Sequence, residues 1–151
     1  MGRFLAIDYG ERRVGLAVSD YMQVIATKLT TVSTIDVYNY LRDYIGKEEV
    51  DLIVVGNPKQ LDNTPSESAK MVNVFVDNLS KIFPDMDIYM IDERYTSKIA
   101  SQSIAVSGMK KKKRQDKALI DSVSAVLILQ DFMEMYKGNG IDNILKVSPK
   151  E

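Results

Sequence analysis

Residues 1–20, MGRFLAIDYGERRVGLAVSD, contain two apolar segments of strand length joined by a polar turn. The first segment, residues 4–7, ends on Asp8, and the second covers residues 14–18, so the pattern predicts a β-hairpin. A carboxylate at the end of a buried strand is costly unless a partner or a metal ion compensates its charge. Asp8 is therefore a candidate functional residue. The alternative is that Asp-x-Gly simply opens the turn, with Asp8 bonded to its own backbone.

The composition excludes several kinds of active site. The chain has no cysteine and no histidine. Thiol nucleophiles, Ser-His-Asp triads, zinc sites and imidazole bases are therefore excluded. Carboxylates without imidazole or thiolate suit hard cations such as Mg²⁺ or Mn²⁺.

Length and composition predict a single domain with a real core, because the chain has 151 residues, 45% of them hydrophobic. We expect the domain to cover residues 1–137 and a flexible tail to cover residues 138–151, which begin with Gly-Asn-Gly. The absence of cysteine fits a cytoplasmic protein. Early charged residues and the lack of a long apolar run argue against a signal peptide and against any membrane association.

Apolar periodicity predicts that strands and helices alternate after the hairpin. Ser33 or Thr34 is the predicted N-cap of the first helix, and Gly46 its predicted end. The all-apolar segment 52–55 is typical of a strand covered on both faces. The fold class expected is α/β, a mixed sheet with helices on both faces. The other predicted strands cover residues 25–32 (an edge strand) and 88–91, and the other predicted helices cover residues 64–83, 96–107 and 116–136.

Three acids occupy unfavourable positions on separate elements. Asp8 ends the first strand, Glu93 closely follows the last predicted strand, and Asp121 lies in a helix that is apolar nearly all round. Ser124 and Ala125 share a helical face with Asp121 and would let the helix approach the sheet closely. Like charges brought together repel, so divalent cations between them would explain the arrangement, and two such ions could cleave a phosphodiester. Alternatively, Asp121 caps or pairs locally.

Positive charge is concentrated in one run, although the net charge is only −1. Nonspecific nucleic-acid binding needs only clustered cations, so the run is a candidate phosphate-binding loop; a solvated linker is the alternative. Arg12, Arg13 and Arg94 are further candidates for phosphate contacts, unless they pair with neighbouring acids. The run consists of Lys110, Lys111, Lys112, Lys113 and Arg114.

Four segments together resemble the YqgF family, described as Holliday-junction resolvases or pre-16S rRNA nucleases with a ribonuclease-H-like fold. The resemblance implies that Asp8, Glu93 and Asp121 bind the metal, and it favours Glu93 over the neighbouring Asp92. Asn57 and Ser124 depart from the residues usual in the family. The segments are Asp8-Tyr9-Gly10 with residues 12–20, Gly56-Asn57-Pro58-Lys59, residues 92–97 (DERYTS) and residues 117–130.

The carboxylates and the family resemblance together imply an endonuclease dependent on Mg²⁺ or Mn²⁺ that acts on structured or single-stranded RNA. The resemblance implies that the substrate is pre-16S rRNA, processed at its 5′ end during ribosome biogenesis. DNA-junction cleavage is the nearest variant, and a non-catalytic RNA-binding assembly factor is an alternative of another class. An actin-like nucleotide-binding protein fits poorly, because the chain is too short for two lobes. No second apolar helix face is evident, which predicts a monomer or a weak dimer.

Overall fold

A six-stranded mixed sheet with the strand order β3-β2-β1-β4-β5-β6 organises the computed structural model. The structure describes residues 2–57, 67–92, 117–137 and 144–147. None of the helices in these ranges is long and apolar enough to cross a membrane. The elements are β1 (Arg3–Tyr9), β2 (Arg13–Ser19), β3 (Ala26–Ser33), α1 (Val37–Lys47), β4 (Val50–Asn57), α2 (Glu67–Ile82), β5 (Asp87–Asp92), α3 (Lys117–Lys137) and β6 (Ile144–Val147).

Strand pairing brings three carboxyl-terminal strand ends to one edge of the sheet. β1 pairs antiparallel with β2 and parallel with β4, and β4 pairs parallel with β5. In these registers Ile7 lies beside Val55, and Asn57 beside Asp92. Asp8, the end of β4 and the end of β5 therefore share one edge, where open α/β sheets usually place their sites.

Both faces of the sheet are covered by helices, as predicted. Leu5 and Ile7 of β1 belong to a core cluster with buried residues of α1 and α2. Phe4 and Ala6, which alternate with them, belong to a second cluster with buried residues of α3. Successive strand residues point to opposite faces, so β1 serves both cores, and this explains why it reads as a continuous apolar run.

The start and end of α1 differ from the sequence prediction. The helix begins at Val37 after Asp36, whose side chain makes no capping hydrogen bond, and Gly46 lies inside its last turn. Ser33 remains in β3, paired with Arg13. The Thr34 hydroxyl donates to the carbonyl oxygen of Gly10 at 2.8 Å. A tertiary partner therefore takes the hydroxyl that local sequence reasoning assigned to a helix cap.

A short strand lies inside the segment that was predicted to be a flexible tail. Residues 144–147 form β6, which pairs antiparallel with β5. Without this pairing β5 would present unpaired backbone groups at the sheet edge, which a neighbouring segment satisfies. The flexible-tail prediction is therefore wrong for these four residues. The helix predicted over residues 96–107 lies outside the described residues.

Candidate metal and nucleic-acid site

Asp8 lies at the carboxyl end of β1, on the sheet face that α3 covers. It is half-buried, and its cross-strand partner in β2 is Gly15. Alternate residues of a strand point to the same face, so Asp8 lies on the face of Phe4 and Ala6, which pack with α3. Gly15 is buried and carries no side chain, so no β2 side chain lies directly opposite Asp8 on this face. Asp8 is itself a paired residue of the strand, and its role as a metal ligand stays a prediction.

Helix α3 runs opposite to β1. Its carboxyl-terminal rings meet the start of that strand, with Phe4 at a centroid distance of 5.8 Å from Phe132 and 5.7 Å from Tyr136. From Phe4 to Asp8 the strand rises about 13 Å. From Phe132 back to Asp121 the helix rises about 16 Å. The amino-terminal part of α3, which carries the Asp121 position in its second turn, therefore lies near the level of Asp8.

The stripe of α3 that faces the sheet includes the helical position of Asp121. Ala125, Ile128 and Phe132 are fully buried and follow Asp121 by four, seven and eleven residues. Ser124 is also buried, at 3% exposure. The small residues predicted to allow close approach of the helix thus lie at the helix–sheet contact. The side chain of Asp121 is outside what the structure describes.

Glu93 lies outside the described residues, immediately after Asp92, the last residue of β5. In β5, Tyr89 and Ile91 pack toward α3, whereas Ile88 and Met90 pack toward α1 and α2. Within the described part of the chain no three acids form a metal-binding group, but Asp8 is the only predicted ligand whose side chain falls in that part.

The turn between β1 and β2 is tightly held. A Cβ atom added to Gly10 would lie 2.5 Å from the carbonyl oxygen of Arg13, so this position accepts only glycine without movement. Thr34 bonds the turn twice, through its hydroxyl to the Gly10 carbonyl at 2.8 Å and through its backbone N–H to the Arg12 carbonyl at 3.0 Å. The turn that follows Asp8 is therefore fixed in place by a residue beyond β3.

The two arginines of this turn have different environments. Arg12 is exposed, whereas Arg13 is the first residue of β2 and is half-buried, with its Nε shielded from solvent. Ala17 of β2 packs with α3, and Arg13 precedes it by four residues in the same strand, so Arg13 lies on the same sheet face as Asp8. Arg12 is thus the more accessible cation. Arg94 and residues 110–114 lie outside the described ranges.

Tyr9 anchors the end of β1 on the opposite face. Its ring stacks on Phe75 with a centroid distance of 4.3 Å, and Tyr38 contacts the same phenylalanine at 5.5 Å. Burial, followed by the nearby Tyr38, raises the pKa of Tyr9. Tyr9 therefore remains neutral and packs, while Asp8, the preceding residue, faces α3. Local sequence indicates neither the packing of Tyr9 nor the two hydrogen bonds from Thr34 to the turn (the Thr34 brace), because both depend on residues distant in the chain.

Comparison with known proteins identifies the family. The family model described as "RuvX: Holliday junction resolvase" matches residues 2–135. The chain belongs to the RuvX family. This assignment confirms the resemblance inferred from the motifs, including its near full-length extent.

Relatives of this RuvX family member have closely similar sequences and lengths. A protein of Flavobacterium johnsoniae is 50% identical over 133 residues, which cover 88% of this chain and 96% of the relative. A protein of Parabacteroides distasonis is 49% identical over 137 residues, which cover 91% and 98% respectively. Both carry the name "Putative pre-16S rRNA nuclease".

A solved structure supports the fold. The chain resembles Thermus thermophilus RuvC in complex with a Holliday junction substrate, with a TM-score of 0.53 and 15% identity, covering 89% of this chain and 96% of RuvC. The ribonuclease-H-like fold expected from the sequence is therefore confirmed.

Proposed function

We propose that this RuvX family member is a divalent-metal-dependent endonuclease that processes the 5′ end of pre-16S rRNA. The name shared by its relatives supports the substrate. The observation that supports the proposal is that Asp8 ends β1 at the sheet edge where β5 also ends, while the amino-terminal part of α3 extends toward the same level. A cytoplasmic location follows from this role in ribosome biogenesis.

The donor chemistry fits Mg²⁺ or Mn²⁺. Asp8, Glu93 and Asp121 offer only carboxylate oxygens, which hard cations prefer, and the chain contains no histidine or cysteine to favour zinc. When bound in such sites, divalent ions activate water and stabilise the leaving oxygen of a phosphodiester. A pure RNA-binding factor would gain nothing from acids placed together beside a phosphate-rich ligand, because they repel it.

The other residues would hold the substrate. Arg12 is exposed on a rigid turn that begins two residues after Asp8, so its guanidinium can bind a phosphate next to the acids without reorganising the turn. Arg13, on the same face as Asp8, adds positive charge at this edge. We propose that Arg94 and the run 110–114 extend the phosphate-binding surface. Phosphate contacts of this kind position the strand without reading its sequence.

DNA-junction cleavage is the second candidate, favoured by the description of the family model. Junction resolution requires paired cuts on two strands, which a two-fold dimer supplies most simply. We propose a monomer or weak dimer that prefers RNA. Sedimentation at micromolar concentration tests the oligomeric state, and a competition digest of pre-16S rRNA, single-stranded RNA and a four-way DNA junction tests the substrate. A stable dimer making symmetric junction cuts would overturn the RNA assignment.

Replacement of each acid tests the metal site. We expect Asp8→Asn, Glu93→Gln and Asp121→Asn each to abolish hydrolysis with Mg²⁺ or Mn²⁺ while the fold remains intact. Without metal, at least one variant should melt at a higher temperature, because it relieves carboxylate repulsion. The matched control is Asp43→Asn, which removes an exposed carboxylate paired with Lys47 on α1. Full activity in any two of the three site variants would refute the assignment.

A further inference from the structure

The loop between β2 and β3 displays a concentration of exposed apolar side chains. We call residues 20–25 the apolar loop. Four of its six residues are large and apolar, and all four are exposed: Tyr21 by 42%, Met22 by 69%, Val24 by 65% and Ile25 by 62%. Scattered exposed apolar residues are normal on a protein surface, but a contiguous group of this kind often marks a site of interaction.

The backbone of the apolar loop is held in one conformation. The Asp20 carboxylate accepts hydrogen bonds from the backbone N–H groups of Val24 at 2.8 Å and Ile25 at 2.9 Å. Gln23 has a positive φ of 60°, which is uncommon for a residue with a side chain. Its amide donates to the Gly2 carbonyl at 2.7 Å and to the Asp51 carboxylate at 2.9 Å. A preorganised surface loses little conformational freedom when a partner binds.

Acidic groups adjoin the apolar loop. The Tyr21 hydroxyl donates to Glu48, and the Arg3 guanidinium lies 4.3 Å from the centre of the Tyr21 ring and 3.8 Å from Glu48. Asp51 bonds Gln23, and the exposed Glu49 lies between Glu48 and Asp51 in the chain. With Asp20, four acidic residues, called here the acidic rim, lie in or beside the apolar loop in the chain or through the contacts above. Such a rim repels RNA phosphates, and it would repel the same rim of a second copy.

The apolar loop lies at the end of the sheet remote from Asp8. It contacts Gly2, Arg3, Glu48 and Asp51, at or just before the starts of β1 and β4. From Arg3 to Asp8 the strand rises about 17 Å. A partner can therefore cover the apolar loop and leave the carboxyl-terminal edge of the sheet open to a nucleic acid.

We propose that the apolar loop docks a basic protein surface that has an apolar pocket, the chemistry expected of proteins that coat ribosomal RNA. The proposal rests on the proposed function, because it adds a second contact to the same substrate particle. The exposed apolar side chains of the loop would enter the pocket, and the acidic rim would pair with the basic residues around that pocket. Docking would select RNA that already carries its proteins over the same RNA without them.

The test compares two forms of one substrate, a small-subunit precursor particle containing pre-16S rRNA and the same RNA after removal of its proteins. Binding is measured by co-sedimentation of the Asp8→Asn protein, so that cleavage does not intervene. In the Asp8→Asn protein, the further substitutions Met22→Ser and Ile25→Ser together should weaken binding to the particle at least tenfold and leave binding to the bare RNA unchanged. Glu49→Lys should weaken particle binding most at low salt. Ile35→Ser is the matched control, since Ile35 is 88% exposed outside the apolar loop.

Each outcome decides the proposal. Equal particle binding by the parent and the double variant would overturn it, as would an equal loss of binding to the bare RNA. A dimer that dissociates on the double change would assign the apolar loop to a second copy and also overturn it. If particle binding depends on the apolar loop but the wild-type protein cleaves neither substrate, the docking proposal stands and the nuclease proposal fails.

Discussion

Two glycine-to-alanine substitutions should change the stability of this protein in opposite directions. In Gly10→Ala the new methyl group would lie 2.5 Å from the Arg13 carbonyl oxygen, whereas ordinary contacts begin at 3.4 Å. The atoms must therefore separate by about 0.9 Å, and forced overpacking of this kind costs about 1–3 kcal/mol. The carbonyl belongs to β2, which is paired with β1 on one side and β3 on the other, so the backbone has little room to move.

Gly46→Ala is the matched control for the same chemical change. Gly46 lies in the last turn of α1, and no described atom lies within 4 Å of the position of an added Cβ. Alanine reduces the conformational entropy of the unfolded chain, and it should stabilise the helix by about 0.5–1 kcal/mol.

Thermal unfolding measures both effects. One kcal/mol corresponds to about 2–4 °C for a domain of this size, so a 2 kcal/mol cost for Gly10→Ala lowers Tm by about 4–8 °C, and Gly46→Ala raises it by about 1–4 °C. Because Gly10 follows Asp8 by two residues, Gly10→Ala should also reduce hydrolysis at temperatures where the variant is fully folded. A Gly10→Ala protein as stable as the wild type, or a destabilised Gly46→Ala protein, would refute this reasoning.

Three further predictions concern the brace, the basic run and acid stability. Thr34→Val removes the hydrogen bond from the Thr34 hydroxyl to the turn that carries Arg12, so it should lower the free energy of unfolding by about 1 kcal/mol and weaken RNA binding. Thr34→Ser keeps the hydroxyl and should restore both. Equal RNA binding by the wild type and both variants would contradict a role of the Thr34 brace. Replacing residues 110–114 with Ser and Gly should reduce the steepness of the fall of log binding constant with log salt concentration by about 0.7 per lost contact to single-stranded RNA. An unchanged slope in a salt titration would indicate that the run is a solvated linker. Backbone N–H groups of Ile25 and then Val24 lower the pKa of Asp20, so its stabilisation is present above the unfolded-state pKa and is lost as pH falls through the folded-state pKa. Asp20→Asn should therefore flatten the acid limb of Tm against pH, and an unaltered limb would exclude this contribution.

Local sequence was sufficient wherever periodicity carried the signal. The continuous apolar run 52–55 of β4 indicated a strand buried on both faces, and the two core clusters confirm it. Sequence was insufficient where one side chain had a choice of partners. Thr34 could cap a helix or bond a distant carbonyl, and only the pairing of β2 with β3 brings it to Gly10.

The sequence by itself determined the kind of chemistry available, because a chain without histidine or cysteine offers carboxylates to a metal and arginine or lysine to a phosphate. It also determined the α/β class, because residue periodicity is a local property. Tertiary structure decided which elements lie side by side. The parallel pairing of β1 with β4 and the opposite course of α3 bring the Asp121 position to the level of Asp8, although the two residues are far apart in sequence. Proximity of this kind arises from packing across the sheet, which no local pattern specifies.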